Sequence, residues 1–240
     1  MEFEAVIEEL KAAGTEQNRK IYARHGVKHK LYGVSFANLG KLKKKIKVDH
    51  SLAQVLWATG VHDARILATM VADPAQADDA MLEAWAGDLG DYVITDAFSD
   101  YVFQTPLAWQ KMEVWIHSDD EWIGQAGWRL VAKFAMQDSD LPDAYFEDLL
   151  EEIKAEIHTR KNRVREAMNS ALISIGIRNT LLQVEALDVA GKIGKVVVDH
   201  GQTSCKTPDA TAYILKTVKR REEKARGENR SSLQPTSPKT

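Results

Sequence analysis

The amino-acid sequence predicts an all-α protein in which short helices follow one another as antiparallel pairs and stack into an α-solenoid. Three observations lead to this prediction. Apolar residues recur at helical spacing through most of the chain, strand patterns are almost absent, and the breaks between helices are short. The chain has 240 residues and is 44% hydrophobic, which suffices for one large domain with a continuous core.

The individual helices are predicted from apolar residues three and four positions apart. Phe3, Val6, Ile7 and Leu10 would share one face of an N-terminal helix. A cap at Asp49 or Ser51 and the stop at 73–74 delimit two further helices. Helices are predicted over 39–46, 52–56, 64–71, 77–88, 91–103, 106–117, 119–136, 142–158, 162–176, 179–193 and 208–221.

The helices group into pairs that start near residues 35, 62, 91, 121 and 162. Units of about 28 to 41 residues are in the range of HEAT-like arrays. No sharp repeat consensus accompanies this spacing, so a compact non-repeat helical bundle is the alternative. The strand-like run 195–199 is short and isolated, and we expect it to begin a loop. A single domain over 1–222 would be followed by a disordered polar tail over 223–240.

Composition narrows the cellular setting and the cofactors. No apolar run is long enough to cross a membrane, and the N-terminus lacks the pattern of a secretion signal, so we expect no membrane partner. The single cysteine, Cys205, excludes an internal disulfide and fits a reducing, cytoplasmic setting. We expect no metal, because Cys205 and a nearby His200 do not make four ligands, and no organic cofactor.

Charge is distributed unevenly along the chain. The net charge is only −3, yet the stretch from Arg19 to Lys47 holds ten Lys or Arg and no Asp or Glu. The region 61–148 is acidic, and basic clusters return over 160–165 and 216–221. One surface could therefore face a polyanion while another is only solvated. Solvated helix faces would leave a similar pattern, so charge alone does not decide between these readings.

A set of segments in collinear order resembles the AlkD-like DNA alkylation repair family over about residues 20–220. The segments are Tyr32–Ser35 leading into 39–45, Leu56–Trp57, His62–Arg65, Tyr92–Asp96, Ser118–Ile123 and Val164–Asn169. No single segment is decisive, and their order makes the resemblance. It implies a curved stack of HEAT-like helix pairs whose concave face holds duplex DNA. It also implies hydrolysis of the glycosidic bond of N3- or N7-alkylated purines.

The chemistry of that reaction explains the residue types the family uses. An alkylated purine is cationic and leaves readily, so the protein must stabilise the positive sugar that develops as the bond breaks. A fixed carboxylate does this electrostatically and can orient a water molecule. The resemblance places the carboxylate at Asp96. It places an aromatic at Tyr92, one turn earlier on the same helix face, where the family pattern has Trp. Asp96 and Tyr92 are therefore the predicted catalytic residues.

Two further positions depart from the family pattern. Gln125 stands where the pattern has Arg, although Arg129 lies one turn further on. Ser170 stands where the pattern has a second aromatic. The first hypothesis is therefore an alkylpurine DNA glycosylase, and the second is a catalytically weak or inactive HEAT-repeat protein that binds damaged or branched DNA. The third is a protein-interaction scaffold with no DNA role, which absence of a basic concave face would favour.

The partner predicted from these residues is duplex DNA, alkylated or not, bound by a monomer. Cations over 160–165 lie in a loop and at the start of a helix, where the macrodipole disfavours them, and a polyanion would account for their position. Thr207 and Pro208 begin another helix whose free N–H groups could bind a phosphate, although a merely polar loop is the alternative. The predicted DNA-binding residues are Lys43, Gln125, Arg129, Lys161, Arg163, Arg165, Asn169 and Lys206.

Overall fold

The computed structural model describes residues 1–138 and 140–232, and within them it contains helices and no strand. The helices are α1 (Phe3–Ala13), α2 (Glu16–Arg24), α3 (Phe36–Ile46), α4 (His50–Ala58), α5 (His62–Val71), α6 (Asp79–Gly87), α7 (Tyr92–Val102), α8 (Ala108–Trp115), α9 (Glu121–Gln137), α10 (Asp143–Glu156), α11 (Asn162–Gly176), α12 (Thr180–Ile193) and α13 (Ala210–Ser232), with a 3₁₀ turn at Pro74–Gln76.

The helix pairs form the predicted solenoid. Helices α3, α5, α7, α9 and α11 pack one against the next as an inner layer, and α13 closes that layer at its end. Helices α4, α8, α10 and α12 pack behind them as an outer layer. The five pairs begin at the predicted positions, namely Phe36, His62, Tyr92, Glu121 and Asn162. The all-α, HEAT-like fold class is therefore confirmed.

Two helices differ from the predicted elements, and one predicted irregular segment is confirmed. Helix α2 was not expected, because it is strongly polar and buries only Tyr22. The run 195–199 is irregular, as predicted. Helix α13 continues to Ser232, beyond the predicted domain boundary at residue 222. Residues 233–240 of the predicted polar tail lie outside the described residues.

Aromatic side chains fill the interface between the two layers. Trp57 on α4 stacks on Trp85 on α6, with ring centroids 4.2 Å apart and parallel planes. Phe98 on the inner helix α7 contacts both Trp57 and Trp115, and all of these rings are buried. Stacked and tilted aromatic pairs stabilise a core beyond the area they bury. Trp128 on α9 is also fully buried.

A buried carboxylate fixes the N-terminal part of the chain on the solenoid. Asp63 on α5 is fully buried and accepts backbone N–H bonds from Tyr32 at 2.6 Å, Gly33 at 3.3 Å and Val34 at 2.7 Å. Gly33 has φ +83°, a conformation that a side chain would strain. The Tyr22 hydroxyl donates to the Val34 carbonyl oxygen at 2.8 Å. This loop therefore holds α2 against the inner layer.

Candidate nucleic-acid interface

Arg129 connects three consecutive helices of the inner layer. From α9, its Nε donates to Asp96 Oδ1 on α7 at 2.8 Å. Its Nη2 donates to Glu166 Oε2 on α11 at 2.6 Å, and its Nη1 donates to Ser170 Oγ at 3.1 Å. Gln125, one turn earlier on α9, donates from Nε2 to the same Asp96 oxygen at 3.1 Å. We call Asp96, Gln125, Arg129, Glu166 and Ser170 the arginine cluster.

The arginine cluster holds one guanidinium and two carboxyl groups. Burial raises the pKa of the Asp96 carboxyl above its usual range, while Arg129 beside it acts in the opposite direction. Burial lowers the pKa of Arg129, but the negative charges of Asp96 and Glu166 outweigh burial, so the pKa of Arg129 is raised overall. With both carboxyl groups ionised the cluster carries one negative charge, and its only cation is bound to both carboxylates.

Tyr92 is held between α2 and α11. Its hydroxyl is hydrogen-bonded to Nδ1 of His25, the residue that ends α2. The Arg163 guanidinium lies over its ring, with its central carbon 4.2 Å from the ring centroid, a favourable cation–π arrangement. Burial raises the pKa of the Tyr92 hydroxyl, Arg163 opposes this shift, and the nearby Cys205 adds to it. The aromatic is therefore fixed in place by cationic or ionisable neighbours on both sides.

The segment 199–208 between α12 and α13, which we call the strap, runs beside this tyrosine. Asn162, at the start of α11, donates to the Asp199 carbonyl oxygen at 2.9 Å and accepts its N–H at 2.7 Å. Further along, Asn169 donates to the Pro208 carbonyl oxygen at 3.1 Å. Between these anchors Gly201 faces the Arg24 carbonyl oxygen at the end of α2. The strap therefore links the two ends of the inner surface.

A cavity of about 900 Å³ opens on the inner surface between α2, α3, α5 and α7. Asp96 and Tyr92 line it from α7, and Lys43 lines it from α3. Phe36 and Val48 are the most exposed apolar residues of its wall, at 48% and 64% exposure. The two residues predicted to be catalytic therefore face one concave space.

Comparison with known proteins identifies the family. A family model described as DNA alkylation repair enzyme matches residues 6–214. The chain belongs to this family. It is similar to the uncharacterized protein Lmo0209 of Listeria monocytogenes, at 29% identity over 229 residues covering 91% of this chain and 98% of the relative. The uncharacterized protein Lin0241 of Listeria innocua is 29% identical over 224 residues, with 91% and 98% covered.

A solved structure shares the fold of this DNA alkylation repair family member with a TM-score of 0.84 and 29% identity, covering 92% of this chain and 95% of its own. It is described as representing a new family of proteins related to the HEAT-like repeat DNA glycosylases with affinity for branched DNA structures. The resemblance to HEAT-like repeat DNA glycosylases is therefore confirmed at the level of family and fold.

The structure brings some of the predicted site residues together and separates others. Asp96, Gln125 and Arg129 meet in the arginine cluster. Gln125 and Asn169, however, are buried, at 0% and 1% exposure, so neither side chain is presented on the inner surface. Their roles there are to bind Asp96 and to anchor the strap, and the DNA contacts predicted for them remain predictions.

The predicted cations other than Arg129 lie outside the arginine cluster. Lys161 and Lys206 are exposed, one before α11 and the other in the strap, and Lys43 is exposed on α3. Arg163 and Arg165 are half-buried on the first turn of α11, and the Arg165 Nε is buried without a hydrogen-bond partner among the described residues. These five side chains form no ion pair within the described parts of the chain.

Sequence reasoning missed Glu166 and His25 as parts of the site. Glu166 lies one turn before Ser170 on α11, so the spacing alone could have placed both on one face. No local signal pairs His25 with Tyr92, because 67 residues separate them.

Among the described residues, no three His, Cys, Asp or Glu side chains converge as metal ligands would. None of the described helices has both the length and the apolar character that a membrane span requires.

Proposed function

We propose that this protein binds branched DNA in its concave cleft and has weak or no alkylpurine glycosylase activity. The observation that supports the proposal is the bond between Asp96 and Arg129. A guanidinium 2.8 Å from the carboxylate offsets the negative charge that would stabilise a developing sugar cation. Arg129 also reaches Ser170, the position where the family resemblance implies a second aromatic. A cationic purine would find no aromatic face there.

The distribution of charge favours a DNA ligand. The arginine cluster at the centre of the inner surface carries one negative charge, whereas the unpaired cations lie around it. Phosphates would bind at these edges, and phosphate contacts supply affinity without reading sequence. The relative described as having affinity for branched DNA structures has the same fold, which favours junctions over other DNA forms as the ligand.

The binding test compares a three-way junction with a linear duplex of equal length and sequence content, by gel shift at a single fixed salt concentration. We expect the junction to bind at least about tenfold more tightly, a difference of roughly 1.4 kcal/mol. Arg163→Gln should weaken junction binding, because it removes an unpaired cation at the edge of the cleft. Lys192→Gln on the outer helix α12, where Lys192 is paired with Asp188, is the matched control and should leave binding unchanged. Equal affinity for both DNAs would contradict the proposal.

Alkylpurine glycosylase activity is the second candidate. The observation that favours it is that Asp96 and Tyr92 line one concave cavity from the same face of α7. The test measures release of free base from duplexes that contain N7-methylguanine or N3-methyladenine, with wild type and Asp96→Asn in parallel. Release by wild type that disappears in the Asn variant would establish this activity and replace the first proposal. No release from either, with tight junction binding in the same samples, supports the first.

A further inference from the structure

We propose that the cavity between α2, α3, α5 and α7 receives one unstacked nucleotide, whose base carries an exocyclic amino group. This inference rests on the proposed binding of branched DNA, since a branch point is where a nucleotide is left unpaired. The volume, about 900 Å³, is within the range of small-molecule sites and exceeds what a single nucleotide needs. The cavity opens on the inner surface, where DNA would lie.

The wall of the cavity offers aromatic and apolar surface to a base. Tyr92 lines it from α7, and Phe36 lines it from the first turn of α3. Phe36 and Val48 remain largely exposed although both are apolar, so part of this wall is left without a cover in the folded chain. Stacking on an aromatic side chain suits every base, because every base has a π-face.

The polar groups of the cavity select among the bases. Both hydrogen bonds that Asp96 receives fall on Oδ1, and its Oδ2 accepts none from the described residues. The Asp96 side chain is 41% exposed. A free carboxylate oxygen accepts a hydrogen bond from an amino group and repels a carbonyl oxygen. Adenine, cytosine and guanine carry such an amino group, whereas thymine does not.

A lysine at the cavity can bind the phosphate of the nucleotide. Lys43 lines the cavity from α3, is exposed, and forms no ion pair among the described residues. Its ammonium group can meet the phosphate of a nucleotide whose base is inside. The cavity thus combines stacking surface, an acceptor for an amino group and a phosphate-binding cation, the three features by which an extruded nucleotide is recognised.

The experiment uses three-way junctions that differ at a single unpaired position. That position carries adenine, the same purine without its amino group, thymine, or an abasic analogue. Competition gel shifts give the relative affinities for wild type, for Phe36→Ala and for Val114→Ala, a matched control at an exposed apolar site on α8. Circular dichroism verifies that both variants are folded.

We expect wild type to bind the adenine junction about fivefold or more tightly than the abasic junction. The purine without an amino group and thymine should fall between them, because they retain stacking and lose the bond to Asp96. Phe36→Ala should abolish most of the difference, and Val114→Ala should keep it. Equal affinity for all four junctions would overturn the nucleotide site while leaving branched-DNA binding intact. Failure to bind any junction would overturn both.

Discussion

Replacement of Arg129 by glutamine tests the arginine cluster directly. The change removes two ion pairs, to Asp96 at 2.8 Å and to Glu166 at 2.6 Å, and leaves two carboxyl groups near each other with no cation between them. Breaking a buried ion pair from one side costs about 3–5 kcal/mol. Asp96 is 41% exposed, so solvent screens part of that loss. We expect Arg129→Gln to lower the free energy of unfolding by about 2–4 kcal/mol at pH 7.

The pH dependence of this loss follows from the pKa of Asp96. Burial already holds that pKa above its usual range, and removal of Arg129 raises it further. A carboxyl whose pKa is raised in the folded state contributes stability below its unfolded pKa, and this contribution disappears as pH rises through the folded value. The difference in stability between variant and wild type should therefore be smaller at pH 4.5 than at pH 7.

Urea denaturation followed by circular dichroism, at both pH values, measures these differences by linear extrapolation. Lys192→Gln breaks an exposed pair with Asp188 and serves as the control, with no resolvable change in the free energy of unfolding expected. A loss below about 1 kcal/mol for Arg129→Gln at pH 7, or an equal loss at both pH values, would refute this account of the cluster.

Two further predictions concern the frame that positions the cleft. Asp63→Asn should lower the free energy of unfolding by about 2–4 kcal/mol in a urea titration. The amide nitrogen of the new asparagine must face at least one of the three backbone N–H donors that now bind the carboxylate. Asp119→Asn, an exposed carboxylate, is the control, and similar losses for both would contradict this role. Gly127→Ala should cost about 1–3 kcal/mol, because its Cβ would lie 2.5 Å from the Ile116 backbone nitrogen. Gly40 has open space around it, so Gly40→Ala should instead raise the free energy of unfolding by about 0.5–1 kcal/mol. A Gly40→Ala variant less stable than Gly127→Ala would overturn the packing argument.

The helical architecture was predictable because it depends on local periodicity. Apolar residues recur at helical spacing along the inner helices, and short breaks force antiparallel pairs, so spacing along the chain determines the stacking order. Helix α2 escaped prediction because it buries only Tyr22. The loop before α3, not the helix's own sequence, holds it in place, through the bond between the Tyr22 hydroxyl and Val34.

Motifs that suggested a DNA-repair family turn out to have different physical roles. Within the segment 62–65, Asp63 binds a loop, and Arg65 donates to the carbonyl oxygens of Trp57 and Asp88. Both side chains are buried, so this segment identifies the fold and does not form the cleft. Arg160, in the basic cluster before α11, similarly donates to the carbonyl oxygen of Ile116.

The proximity of Asp96 and Tyr92 was predictable, but the electrostatics around Asp96 were not. Asp96 and Tyr92 share a helix face by their spacing alone. The bonds of Asp96 to Arg129, 33 residues away, and of Arg129 to Glu166, a further 37 residues away, are tertiary contacts that no local pattern specifies. Whether Asp96 acts as a free carboxylate or as half of an ion pair therefore depends on where α9 and α11 place their side chains.

This arrangement also determines which loss of function each variant should produce. A phosphate that enters the cleft must either bind the unpaired cations at the edge, such as Arg163, or draw Arg129 away from two carboxylates. The second route breaks two short ion pairs and exposes Asp96 as a free anion beside the DNA, where it would repel phosphate. Edge cations should therefore control affinity and its dependence on salt. The central cluster should instead control stability and the discrimination between bases.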